Sequence, residues 1–202
     1  MAPLIEYVVD VLMASSFDRF LDDRLMDPIL KYPERVAMGM RDEMTPIEAY
    51  WSDFFSSLPE GSPYPSRKRT EESWGEGAAM ADELGGLIAK GTKTATCSAL
   101  AEWEADGEAL PQVGDLTMVL SGSGEPLCII EVTEVRFRRF KEVDADFARE
   151  EGEGDRSLDH WREVHRHFFS RSLARIGLNF EEDVMLVCER FRLVHRPGIG
   201  NK

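Results

Sequence analysis

Gly91-Thr92-Lys93-Thr94-Ala95-Thr96 follows a helix-like segment with no spacer between them. Gly91 suits the left-handed position that ends a helix. Thr94, Ala95 and Thr96 suit an entering strand. Lys93 therefore falls at a helix-to-strand corner, where irregular backbone and a mobile cation can serve a ligand. A solvated loop lysine is the plainer reading of the hexapeptide by itself, because a short motif stays a hypothesis until its context agrees.

Outward from this corner the pattern is mixed. Met80, Leu84, Leu87 and Ile88 share one helical face and predict a helix over 78–90. Gly85 and Gly86 weaken it by about 1 kcal/mol each relative to alanine, a hint of close packing. A strand is expected near 94–98, then a short acidic helix with Leu100 and Trp103. Residues 116–120 and 127–135 read as strands joined through Ser121-Gly122-Ser123-Gly124, a hairpin signal. Residues 136–140 extend the second strand or start a third. The helix over 158–176 has Ser157 as N-cap and Gly177 as terminator. Its apolar stripe is Leu158, Trp161, Val164 or His165, Phe168, Leu173 and Ile176. A last strand over 184–194 alternates Met185, Val187, Phe191 and Leu193 inward.

Toward the N-terminus, residues 4–30 read as helix, and Pro28 and Pro33 break the helical pattern. Thr45-Pro46-Ile47-Glu48 has the form of a capping box, opening a helix with Tyr50, Trp51, Phe54 and Phe55. That aromatic set is core packing or a lid, with base stacking as the alternative. Residues 59–70 are the best linker candidate and hold the densest basic cluster, Arg67-Lys68-Arg69. Arg67 and Lys68 are candidate phosphate contacts, or plain solvated loop residues.

With 202 residues, the chain can bury one core plus a small appendage. The formal charge of −14 argues against sequence-blind wrapping of nucleic acid, and so against DNA, while leaving room for a local basic pocket. Cys97, Cys128 and Cys188 are read as buried reduced thiols. No apolar run reaches membrane-spanning length and no signal peptide is visible, so a cytoplasmic protein with no membrane partner is expected.

Three groups of residues could carry chemistry. Lys93 and Thr96 can share one pocket only if the chain bends between them, since residues three apart on a strand point to opposite faces. A lysine withdrawn from water has a lowered pKa and can serve as a base or hold an oxyanion, and a threonine beside it can be a nucleophile. The second group is Glu150-Glu151-Gly152-Glu153-Gly154-Asp155, read as a loop rather than helix. One of its glutamates can pair with Lys93, or the loop is a solvated acidic turn. The helix start at Ser157 can bind an anion. The third group is Arg136, Arg138, Arg139 and Lys141 with Arg162, His165, Arg166 and His167, either local positive potential or partners for the many acids. The histidines lack metal-like pairing.

From Trp74 to His195 the chain resembles the ASCH domain, of the PUA-like β-barrel group. The matching pieces are Met80–Leu84, Gly91–Thr96, Val113-Gly114-Asp115, Gly124–Thr133, Glu151–Leu158 with Trp161 and His165, and Val187–Phe191. The resemblance implies an α+β fold: a PUA-like mixed β-barrel with flanking helices over 71–196. An α-helical extension over 1–44, the aromatic helix and linker over 45–70 and a tail over 197–202 complete the expected organisation.

It also implies a hydrolase acting on RNA or on a modified nucleoside, since some members deacetylate N4-acetylcytidine with a lysine, a threonine and a glutamate and others are ribonucleases. Lys93 and Thr96 match that lysine and threonine. The glutamate matches Glu151 or Glu153, depending on the direction of alignment, and one of them is expected to face Lys93. None of these four looks like core. Thr94, Ser98, Arg156 and Ser157 join Arg67 and Lys68 as candidate substrate contacts. Ser98 stands where those members carry an arginine, a departure from their pattern. No cofactor is called for, and a divalent metal is left open. The alternatives are a non-catalytic RNA-binding module and a protein-interaction adaptor. The N-terminal helices are a candidate homodimer surface.

Overall fold

The computed structural model describes residues 44–197. The helical reading of residues 1–43, the homodimer surface drawn from it and the tail beyond 197 lie outside those residues.

Thr45 opens helix α1 (Pro46–Ser56) through a reciprocal cap. Its hydroxyl accepts from the Glu48 amide at 3.2 Å, and the Glu48 carboxylate accepts from the Thr45 amide at 2.7 Å. Trp51 and Phe54 on this helix pack against Leu116, Met118 and Ile129, so the aromatic set is core. The 59–70 segment is less of a linker than its composition suggests. Tyr64–Ser66 forms a single 3-10 turn, and strand β1 (Arg69–Glu72) pairs in parallel with β3 (Leu116–Leu120). A hydrogen bond between the Thr70 and Thr117 hydroxyls, 3.0 Å apart, ties the two strands side by side.

Between them run helix α2 (Ala78–Ala89), strand β2 (Ala95–Ala99) and helix α3 (Leu100–Asp106). The long strands β4 (Pro126–Arg139) and β5 (Met185–His195) pair antiparallel and form the middle of the sheet. Residues 136–139 thus extend β4. Helices α4 (Ala145–Glu151) and α5 (Leu158–Arg175) lie between these strands in sequence. Helix α4 corrects the reading of residues 150–155 as all loop. Asp144 caps it by accepting from the Phe147 amide, and only at Gly152 does the chain leave the helix.

The sheet has five strands in the order β1-β3-β4-β5-β2. The expected closed barrel does not form. Strand β1 pairs only with β3 and β2 only with β5, so no ladder joins the two short edges among the described residues. Register shifts at Ile129/Ile130 and Val132/Glu134 break the regularity of β4 against β5.

Strand alternation assigns the two faces. Leu116, Met118 and Ile129 meet α1, while Ala95, Ala99, Leu186 and Cys188 meet Phe147, Trp161 and Phe169 of α4 and α5. Both clusters share one face. On the other, Val119, Cys128, Ile130 and Phe191 pack with Ile88 of α2. Along α5 the buried positions are Trp161, His165, Phe169, Ser172 and Leu173, so the predicted stripe holds at Trp161, Leu173 and, of its two alternatives, His165 rather than Val164, while the exposed Phe168 gives way to Phe169.

Candidate functional site

The corner at Gly91 is a helix terminator of the expected kind. Gly91 has φ 73°, its amide donates to the Ile88 carbonyl at 2.8 Å, and the Thr92 amide donates to the Leu87 carbonyl at 2.9 Å. The next residues lean on the end of α4. The Thr94 amide donates to the Glu150 carbonyl at 2.8 Å. Gly152, at φ 75°, comes so close that an added Cβ would lie 2.6 Å from the Thr92 carbonyl oxygen. Two left-handed glycines thus hold Lys93 against the end of α4.

Lys93 is buried, with 2% of its surface exposed. Its ammonium donates to Glu151 Oε2 at 2.7 Å and to Glu153 Oε1 at 2.6 Å. Both glutamates reach it, where one was expected. Glu151 is 1% exposed, so two of the four residues judged to lie outside the core are inside it. The other oxygen of Glu151 accepts from the Trp161 indole at 3.1 Å and from the Cys97 thiol at 3.2 Å, with His165 Nε2 at 3.6 Å. His165 Nδ1 lies 3.0 Å from the Trp161 carbonyl oxygen, which can only accept, so that nitrogen carries a proton. Glu153 is more open and lines a shallow hollow with His160 and His165.

Electrostatics fix the charge states. Burial opposes the charge on Lys93, but the two carboxylates outweigh it and hold the ammonium above the ordinary lysine pKa. Burial likewise opposes the charge on Glu151, yet Lys93 and His165 keep its carboxyl well below the usual range. Burial and the Glu151 charge push the Cys97 thiol well above its ordinary value. The lowered lysine pKa expected of a general base is therefore not produced here. Cys97, Glu151 and His165 bring one donor atom each within 4.8 Å of one another, which is the spacing of metal ligands. In the geometry seen, Lys93 already holds that carboxylate and the thiol serves as a donor to it.

Thr96 is on the other side of the sheet. Cys97, which touches Glu151, pairs with Cys188, while Thr96 pairs with Glu189 and Ser98 with Val187. No bend between residues 93 and 96 overrides the alternation, so Thr96 does not join the Lys93 cluster. It stands beside Glu189 on the face that carries a recess. That recess is lined by Trp74, Trp103, Thr70, Thr117, Glu72 and Glu189, among others, and has a cavity volume of about 70 Å³. The Trp103 indole donates to the Ser98 hydroxyl at 2.7 Å and the Trp74 indole to Glu72 at 2.9 Å.

The Glu189 carboxyl has neither a hydrogen bond nor an ion pair among the described residues. Burial, with Glu72 and Asp115 nearby, raises it to about 7, against a smaller opposing effect of Lys68. Sequence reasoning passes over Glu189, although it holds the inward parity between Val187 and Phe191.

The remaining candidates scatter. Lys68 lines the recess, 3.9 Å from Asp115. Arg67 points elsewhere, 3.6 Å from Glu131. Arg156 is exposed and adopts φ 65°. Ser157 caps α5 by accepting from the His160 amide at 3.1 Å, and its own amide is taken by Asp155. Thr94 Oγ1 donates to the Glu150 carbonyl at 3.3 Å. The basic set resolves largely into ion pairs, Arg136 with Glu134, Arg138 with Asp144, Arg139 with Asp183 and Arg166 with Glu182.

Residues 72–195 match the ASCH domain family. Among solved structures the chain is similar to an ASCH domain from Lactobacillus crispatus, with 35% identity and a TM-score of 0.71 over 78% of this chain and 97% of that one. It is also similar to a protein from Enterococcus faecalis, with 34% identity and a TM-score of 0.62 over 73% of this chain and 87% of that one. No curated protein matches it.

Proposed function

This chain belongs to the ASCH domain family, and from that premise we propose that it binds an unpaired base of RNA, or a modified nucleoside, in the recess beside Thr96 and Ser98. The observation that carries this reading is the pairing of two tryptophans with a strand floor that sets Thr70, Thr117 and Glu189 beside Ile130 and Val132 in one recess. Indole faces stack on any base, worth roughly 1–3 kcal/mol per base. Thr70, Thr117 and Glu189 supply hydrogen-bonding groups for a base edge on the recess lining. Glu72, Asp115 and Glu189 repel phosphate from the interior, so the base enters and the backbone stays outside. Binding of single nucleosides and of a short single-stranded RNA, followed by tryptophan fluorescence, tests it. Trp103→Ala should lose at least about tenfold in affinity. Unchanged binding in that variant would remove the recess from the account.

A second reading, hydrolysis of RNA or of a modified nucleoside, is favoured by Lys93 held out of solvent between Glu151 and Glu153. In it the Lys93 ammonium steadies negative charge developing on the attacked group, and the more open Glu153 takes the proton of an attacking water. Thr96, on the opposite face of the sheet, takes no part in that chemistry. A parallel product assay on N4-acetylcytidine and single-stranded RNA tests this reading, and absence of product from both would leave the binding module.

A further inference from the structure

The recess is an unusual place to find uncompensated carboxylates. Four charged side chains line it, Glu72, Asp115, Glu189 and Lys68. Lys68 lies near Asp115, and Glu72 accepts from the Trp74 indole. Glu189 is left unpartnered and partly buried on the sheet floor, facing the same space as Trp74 and Trp103. Both indole N–H groups are already donating, to Glu72 and Ser98. What the rings have left to offer is their π surface, which attracts a cation.

We propose that this recess selects a flat, positively charged head, an N-alkylated cationic nucleobase, over its neutral parent. This inference rests on the base-binding reading of the same recess. A planar cation gains from the indole faces and from Glu189 at once, whereas a neutral base gains stacking but leaves the carboxylate uncompensated. A phosphate gains from neither. The hydroxyls of Thr70 and Thr117 can accept from the exocyclic amino group that such a base keeps.

The proposal carries a pH signature. With no ligand, burial and the like charges of Glu72 and Asp115, only partly offset by Lys68, keep the Glu189 proton on up to about pH 7. A cation in the recess favours the ionised form, so the proton leaves as the ligand enters. Affinity for the cation should therefore weaken as pH falls through about 7, while affinity for a neutral base should not.

The test is calorimetric titration of the full chain with 3-methylcytidine, cationic near neutrality, and with cytidine. It is run at about pH 7.5 and about pH 6, and repeated with Glu189→Gln. The expected result is binding of 3-methylcytidine about tenfold or more tighter than cytidine at the higher pH. That preference should shrink at the lower pH and in Glu189→Gln. Equal or tighter binding of cytidine at the higher pH overturns the cation inference while leaving base binding intact. A preference unchanged both by pH and by Glu189→Gln overturns the part assigned to Glu189. Failure of both nucleosides to bind overturns the base-binding reading and this inference with it.

Discussion

Lys93 and Glu151 are a buried ion pair, and a buried pair responds asymmetrically to substitution. Lys93→Met takes from the buried Glu151 carboxylate the ammonium that hydrogen-bonds it, leaving His165 Nε2 at 3.6 Å, and should cost roughly 3–5 kcal/mol in urea unfolding. Adding Glu151→Gln should recover part of that loss, and a strictly additive double variant would show that the pair is not coupled. Loss of activity in Lys93→Ala would therefore confound chemistry with folding. Glu153→Gln is the cleaner probe, because Glu153 is more open. If hydrolysis is the function, it should lower kcat/KM by about 10²-fold with the protein still folded.

The same two groups set a pH dependence. The depressed Glu151 carboxyl contributes stability that is present above the unfolded carboxylate pKa, about 4.3, and is lost as pH falls through its folded value. The raised Lys93 ammonium contributes stability that is present below about 10.4 and is lost only as pH rises through its folded value. Acid unfolding curves should shift to higher pH in Lys93→Met. Glu189 has the opposite sign, since its carboxyl is raised to about 7 and its ionisation opposes folding. Glu189→Gln should therefore stabilise the chain at pH 8, on the order of 1–3 kcal/mol, and do little at pH 5. Equal effects at both values would contradict the carboxyl's assigned environment.

At the scale of elements, the sequence is readable where one signal controls one feature. The Thr45 capping box, the Gly91 terminator and the Ser157 cap all sit where local hydrogen bonding puts them. Helix α4 escapes the pattern because glycines at 152 and 154 dominate the reading of residues that end a helix begun at Ala145. Strand β1 escapes it because Arg69–Glu72 carries almost no apolar pattern and is held by its parallel ladder to β3. The grouping of Lys93 with the two glutamates comes from family resemblance. The separation of Thr96 from them is already implied by strand alternation. Glu189 is legible as an inward charge, though its neighbours Glu72 and Asp115 come from distant parts of the chain.

The glycine joints allow a sharper test. Gly91→Ala meets no atom within 4 Å and should cost only the left-handed penalty, roughly 1–2 kcal/mol. Gly152→Ala carries the same penalty and also drives a Cβ onto the Thr92 carbonyl, so it should be clearly the more destabilising of the two. Equal costs would mean that the contact between α4 and the Lys93 corner is loose.

For the described unit as a whole, the open five-stranded sheet separates two environments. One face holds the charge-paired Lys93 cluster under α4 and α5, and the other holds the tryptophan-lined recess. The chain's four tryptophans report on these places separately, Trp74 and Trp103 at the recess, Trp161 at Glu151 and Trp51 in the core under α1. Following the indole N–H resonances by NMR during titration with the four nucleosides and a short mixed-sequence oligoribonucleotide therefore shows where a ligand sits. Trp74 and Trp103 should shift together and saturate with the ligand while Trp51 and Trp161 stay in place. A response confined to Trp161, or no response from Trp74 and Trp103 at saturating ligand, would contradict it.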